Sequence, residues 1–475
     1  MASISSSTST AFDVTTLVSQ LMAVERRPID TLNTRISDTE AKISSFGTLS
    51  GLVSTFQSAA LGLRTGLQKL TTTPSDPLAF AATPNGSGVP GSYSVEVSQL
   101  AQSQSLVATG QASKTAAIGN GTATTITFDF GAISGGTLTS GTYSGATFTA
   151  SGTGSGSVVI DSTNNTLEGI RDAINAANLG IGATIVNDGS GTPYRLALSS
   201  ANSGVNNSLR ISVSGGDGSI DSLLGYDPAG TQNLSQTRAA QNAELTVNGI
   251  PITSASNTLT EAVQGASITL RNVTTTPANL DVARDTTAIN AAVSTFVDAY
   301  NALSSQLKSR SAFASGGNSA GVLAGDSGLR QMQSQLSDIF TSPVVTGTLS
   351  SLAQVGIAFK NGGQLQFDST TFNNALAADF DDVVNLIGSP TGFATRLEDW
   401  ARTSLSAGGV IESRTQSLRD FVKDRNAEVD RLEQRMTLLE KKYTQEYTNL
   451  NLLLSRMNTT STFLTQQLLA QPKSE

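Results

Sequence analysis

Apolar positions recur at steps of three and four at both ends of the chain and at steps of two through its middle. Toward the C terminus, Leu418, Val422, Arg425, Val429, Leu432, Met436, Leu439 and Tyr443 form a heptad seam. The spacing then takes one extra step of four to Tyr447 and resumes through Leu450, Leu454, Met457, Ser461 and Leu464. Such an insertion resembles a stutter, which locally unwinds a left-handed supercoil. A continuous helix over residues 417–467 would reach about 75 Å, longer than a globular domain needs.

The N-terminal stripe runs through Val14, Leu17, Val18, Leu21 and Met22, then Ile29, Leu32, Ile36, Ile43, Phe46, Val53, Phe56, Leu63, Leu67 and Leu70. Pro28 is expected to open a second helix, because its fixed φ and missing donor are tolerated in a first turn. A bundle within the chain accounts for both stripes, and so does pairing with a neighbouring subunit. The two are compatible if part of each stripe pairs internally while its terminal part stays free.

Between these ends the pattern changes. Residues 71–77 read as a Thr/Pro linker that cannot continue a helix. Ser92 to Val97 alternate in the manner of a half-buried strand, and short β-prone runs at 125–130 and 158–160 are separated by Gly/Ser/Thr clusters. A helix is predicted over 166–177, followed by a hairpin of strands 182–186 and 195–199 about an Asn-Asp-Gly turn. Residues 257–270 echo this helix-to-strand unit, too briefly to establish a repeat. Helices are predicted again from Ile289, over 329–340 and over 372–387, with a small hairpin at 359–368. The expected fold is α+β and multidomain: a long helical coiled-coil leg formed by both termini, plus β-rich head domains. The expected boundaries are an N-terminal helix 1–40, a leg helix 41–75, β-rich head domains 76–285 (two of them), a helical leg domain with a small hairpin 286–445, and a C-terminal helix 446–475.

A chain of 475 residues exceeds the usual single-domain size. Its net charge of −8 argues against nucleic-acid binding, which needs a basic footprint. With no Cys and no His, disulfides, thiolate and imidazole metal sites, His bases and Ser-His-Asp or Cys-His nucleophiles are excluded. Carboxylate chemistry and oxygen-ligand calcium sites survive. Gly152, Gly154 and Gly156 lack the strand-to-helix setting of a phosphate loop. Gly215, Gly216, Asp217, Gly218 and Asp221 form only an isolated Gly/Asp turn, and Asp129, Asp161 and Asp172 show no spacing of paired catalytic acids. The lone Trp400 reads as a packing residue. Residues 1–16 have no basic and apolar leader pattern, and no run is apolar enough to insert in a membrane. No catalytic residue, cofactor or metal is expected.

Six stretches together resemble one family, the bacterial flagellar filament cap proteins (hook-associated protein 2). They are 13–28 (DVTTLVSQLMAVERRP), 91–105 (GSYSVEVSQLAQSQS), 257–270 (NTLTEAVQGASITL), 295–303 (TFVDAYNAL), 350–368 (SSLAQVGIAFKNGGQLQFD) and 450–468 (LNLLLSRMNTTSTFLTQQL). Residues 167–187 also resemble the short IN motif of hook-associated proteins, and the likeness is weakest over 110–160. The family's Gly-rich turn before the first helix is replaced by Thr10, Ala11 and Phe12, although Asp13 is kept as a helix cap. The resemblance implies a homo-oligomeric cap at the distal filament tip, outside the cell, whose heads form a plate and whose legs reach the filament. Flagellin would fold beneath the plate, and no enzymatic step is needed. It implies delivery by the flagellar type III export apparatus with a cytoplasmic export chaperone, and leaves room for a role in adhesion. On that reading Val14, Leu17, Leu21 and Met22 at one end, and Leu450, Leu454, Met457, Phe463 and Leu464 at the other, contact filament and flagellin. Phe56, Leu432, Met436 and Leu439 belong to the leg core. A surface adhesin with a coiled-coil stalk and a glycan-binding β head is the alternative, and a carboxylate glycosidase a third reading.

Overall fold

Asp13 opens the first helix: its carboxylate accepts the backbone N–H groups of Thr15 and Thr16, both at 3.1 Å, two of the donors a helix start leaves without partners. Helix α1 covers Val14–Glu25 and α2 covers Arg27–Gly66, with Pro28 in the first turn of α2 as expected. The computed structural model describes residues 13–469 except 87, 153, 316–318 and 345–346; the Thr10–Phe12 turn lies outside the described residues. The chain divides into two compact units, one made of the segments before Gln68 and after Asp285, the other of Gln68–Asp285. Helix α2 runs unbroken through the boundary drawn at residue 40, and the last helix through the one at 445.

The inserted unit begins where a linker was expected. Thr71 to Thr73 lie in strand β1 (Leu70–Pro74), because three β-branched residues pair with a later strand before Pro74 ends the run. Then follow β2 (Phe80–Pro84), β3 (Gly91–Gln99), β4 (Ser105–Ala108), β5 (Thr124–Thr139), β6 (Thr142–Ala150), β7 (Gly156–Ile160) and α3 (Leu167–Ala176). Next come β8 (Ile181–Asn187), β9 (Tyr194–Ser200), β10 (Ser208–Gly215), α4 (Ser219–Leu224), β11 (Leu234–Arg238), β12 (Ala243–Val247) and β13 (Ile250–Ser254). Strands β14 (Thr258–Val263), β15 (Ala266–Leu270) and β16 (Ala278–Arg284) close the unit. Pairing is antiparallel throughout. The sheets β1-β16-β3-β12-β13 and β14-β15-β2 share one apolar core around Phe80, Val95, Leu245 and Leu280. The sheets β10-β5-β6, with β7 also on β5, and β11-β4-β9-β8 share a second core around Phe128, Ile170, Leu198 and Tyr226. The α3–β8–β9 segment is the predicted helix and hairpin. The echo at 257–270 is not: β14 replaces its helix, since Thr258 and Thr260 favour a pleated strand and β15 supplies the partner.

The other unit resumes with α5 (Thr286–Ser311) and α6 (Ser327–Thr341), the hairpin β17 (Ile357–Phe359) and β18 (Leu365–Phe367), then α7 (Ser369–Ala378), α8 (Phe380–Gly388), α9 (Phe393–Leu405) and α10 (Val410–Leu469). A single helix over 372–387 was expected; Asp379 divides it, ending α7 with extended backbone (φ −154°) while its carboxylate caps α8 at Asp382 N, 3.0 Å. Helices α2, α5 and α9 build the core. Phe56 meets Phe296, Tyr300 and Trp400 at ring-centroid distances of 5.5, 6.1 and 6.2 Å. Gly66 allows α2 to approach α5, where a Cβ would stand 2.9 Å from that of Ala292.

Candidate functional site

The two termini meet along α10. Its 60 residues span roughly 90 Å at the helical rise, and its start is held by Asp326, which caps α6 through Gly328 N (2.9 Å) and also accepts Arg414 Nε at 2.8 Å. Along the leg, α2 buries Ile29, Leu32 and Ile36 on one stripe while packing against α10. Further out, α1 takes over. Val18, Met22, Ile29 and Met436 form a small buried cluster, with Val14, Val429, Leu432, Leu439, Tyr443 and Tyr447 packed around it. Fully burying one such side chain contributes about 1.5–3 kcal/mol, so the two that α1 supplies, Val18 and Met22, dock a twelve-residue helix that would be marginal alone. Polar contacts flank the seam: Arg26 pairs with Glu433 at 3.4 Å, and the Tyr443 hydroxyl donates to Glu25 at 3.4 Å. The negative charge of Glu25, foremost, raises the Tyr443 phenol above its ordinary pKa. Asp13 is shifted the other way, its carboxylate stabilised first by the Thr16 hydroxyl and then by the Thr16 N–H.

The seam stripe of α10 continues past the reach of α1, and among the described residues nothing packs on it. Leu450, Met457, Phe463 and Leu464 are 46%, 59%, 58% and 52% exposed, Leu454 is half-buried, and Leu452 and Leu453 widen the apolar surface. Arg456 is the one charged residue among 447–469. The hydroxyls of Thr459, Thr460, Thr462 and Thr465 donate to carbonyls one turn back, at 2.7–2.9 Å. That consumes their polarity locally and leaves their methyl groups as the outward chemistry. The threonine-rich tail is therefore more apolar than its composition suggests, a feature that periodicity alone did not expose.

The candidate residues thus fall into groups. Met22 is buried and Val14 half-buried within the α1–α10 seam, whereas Leu17 and Leu21 are half-buried outside that cluster. Met436 is buried in the seam with Leu432 and Leu439 beside it, and Phe56 lies in the main core of the helical unit instead. Trp400 packs there too, its indole N–H buried without a partner among the described residues. A separate groove of about 450 Å³ between α5, α6 and the β17–β18 hairpin is lined by Tyr300, Leu307, Leu336, Phe340 and Phe359.

The chemical candidates are engaged elsewhere. Asp129 pairs with Arg210 at 2.9 Å, Asp172 with Arg171 at 2.7 Å, and Asp161 closes a turn on Thr163 N at 2.8 Å. Asp217 is occupied by Ser219 N and Asn120 N, at 3.0 and 2.7 Å. Among the described residues, no group of three or more carboxylates could hold a metal ion, and no helix is long and apolar enough to cross a membrane.

Three family models match the chain: the flagellar hook-associated protein 2 N-terminus over residues 10–104, its C-terminus over 240–459, and the flagellin hook IN motif over 147–202. The IN match contains α3, β8 and β9. Flagellar hook-associated protein 2 of Escherichia coli K12 is 33% identical over 489 aligned residues, covering 98% of both chains. The B-type flagellar hook-associated protein 2 of Pseudomonas aeruginosa is 28% identical, covering 97% of this chain and 96% of that one. A solved structure of the D1-D2-D3 domains of the Escherichia coli flagellar cap protein FliD superposes with a TM-score of 0.68 at 32% identity, covering 79% of this chain and 99% of that one.

Proposed function

The chain belongs to the flagellar hook-associated protein 2 family, and from that premise we propose that it caps the flagellar filament, retaining flagellin at the tip and promoting its folding and insertion. The observation that carries the mechanism is the outer third of α10: an apolar, almost uncharged helix face, continuous with an internal seam and uncovered among the described residues. Exposed apolar stripes of this kind mark interaction surfaces. Leu450, Leu454, Met457, Phe463 and Leu464 are the filament-contacting face, joined by Leu17 and Leu21. Val14 and Met22 hold α1 in the seam and would reach the filament only if α1 parted from α10. Contacts of this size, a few side chains deep, are weak enough to exchange, as a cap that steps around a growing tip requires.

The working form is a homo-oligomer outside the cell at the distal filament tip. It is secreted unfolded through the flagellar type III export apparatus, escorted by a cytoplasmic chaperone, and a chain without cysteine avoids misoxidation on that route. The test is genetic. Cells lacking the gene should be immotile and shed monomeric flagellin into the medium. The full chain should restore filaments, and a chain ending at Leu450 should not. Motility restored by that truncation would remove the tail from the mechanism, and normal filaments in the deletion strain would overturn capping. No observation favours a stand-alone adhesin.

A further inference from the structure

The sequence contains four Asn-Gly pairs, at Asn85, Asn120, Asn248 and Asn361. In such a pair the backbone nitrogen of the glycine can attack the asparagine Cγ: a C–N bond forms, the side-chain nitrogen leaves as ammonia, and water opens the resulting succinimide to aspartate or isoaspartate. The reaction needs an amide side chain free to turn and a glycine N–H that is not already donating.

Three of the four side chains are held. Asn85 Nδ2 donates to Thr260 O at 2.8 Å, Asn120 Oδ1 accepts Thr122 N at 2.9 Å, and Asn248 Oδ1 accepts Ser94 N at 2.8 Å. Asn361 differs. It is exposed at the tip of the β17–β18 hairpin, and no hydrogen bond to its side chain is formed among the described residues. The turn is closed by Gly363 N to Lys360 O (3.1 Å) and Lys360 N to Gln364 O (2.7 Å), which leaves the Gly362 N–H outside the ladder. Gly362 and Gly363 both have positive φ, at 104° and 84°, and a Cβ on either would meet no atom within 4 Å, so the tip stands in open space.

We propose that Asn361 is the site at which this protein deamidates spontaneously, becoming aspartate or isoaspartate while the other three Asn-Gly pairs persist. The change adds a negative charge beside Lys360. In the isoaspartate form it also adds a backbone methylene to a turn whose Gly363 carbonyl accepts the Tyr300 hydroxyl at 3.3 Å. The product therefore loosens the hairpin where it walls the aromatic groove. An external protein that is not replaced would accumulate this mark with age.

The full folded chain, held at mildly alkaline pH and sampled over days, is to be digested and mapped by mass, with isoaspartate labelled by its methyltransferase. A parallel sample in denaturant gives the unrestrained rates. In the folded chain Asn361 should convert roughly tenfold faster than each of the other three, a ratio equal to about 1.4 kcal/mol of barrier, and in denaturant the four should converge. Equal folded rates, a different pair reacting first, or an intact Asn361 would each overturn the proposal. Asn361→Gln should abolish the early acidic species and leave thermal unfolding unchanged; persistence of that species would also overturn it.

Discussion

Asp326 carries two tasks with one carboxylate, capping α6 and gripping Arg414 at the start of α10. Removing a cap costs about 1 kcal/mol, and the ion pair adds a comparable amount only, because Arg414 remains over a third exposed and screened. Asp326→Ala should therefore destabilise the helical unit by roughly 2 kcal/mol in denaturant unfolding; an unchanged midpoint would mean that α10 is anchored by its apolar contacts alone. At the leg's outer end, Asp13 and Tyr443 set a pH window. Asp13 has a lowered folded pKa, so its contribution is present above its unfolded value near 3.9 and is lost as pH falls through the folded one. Tyr443 has a raised folded pKa, so its contribution is present below its unfolded value near 10 and is lost as pH rises through the folded one. Amide protection factors in α1, which divide out the intrinsic pH dependence of exchange, should accordingly be largest between these limits and fall on both sides. A profile flat into strong acid and base would show that neither group matters.

The elements separate into those that internal packing completes and one that it does not. Met436 is buried in the α1–α10 seam, and Met436→Ala should cost about 2 kcal/mol, the low end for a core methionine because the seam is thin. The loss should appear as faster exchange throughout α1 with the α2–α5–α9 core unaffected. Placing glutamates at Leu450 and Met457 should do the reverse, leaving the melting temperature of the isolated chain within error, since both side chains are already exposed, while abolishing filament growth. A large drop in melting temperature would show that the outer face packs within the chain. Periodicity located these helices because a 3.6-residue repeat survives any tertiary context. Boundaries depended on local competition: Asp379 splits what reads as one helix by capping the next, and Thr71 to Thr73 become a strand only because β16 lies opposite.

At the scale of the molecule, Gln68–Asp285 is an insertion into a helical unit. Its ends meet: β1 and β16 pair from Leu70 with Arg284 to Pro74 with Leu280, and Asp285 N donates to Lys69 O at 3.0 Å. Both apolar cores of the insert are built from its own residues. The segment 68–285 expressed alone should thus fold cooperatively, with strand-dominated circular dichroism and a sharp thermal transition. A coil spectrum would show that the helical unit is required to close it.

Residue pattern by itself determined that both termini are amphipathic helices, that the middle is β structure, and that without cysteine or histidine the chain has no thiol or imidazole chemistry to offer. Those properties follow from side-chain type and spacing, which no fold can alter. The partnering of the stripes was a tertiary decision. Val14, Leu17 and Met22 are equivalent in a helical repeat, yet only Val14 and Met22 face α10 in the seam cluster, and Phe56 continues the same N-terminal stripe into a different core. Where α1 stops covering α10 is likewise a tertiary matter: the pattern shifts by one extra step of four at Tyr447 and then resumes through Leu450, still asking for a cover. An apolar repeat states that a face must be covered, whereas the geometry of the chain decides which faces it can reach and which it leaves for another molecule.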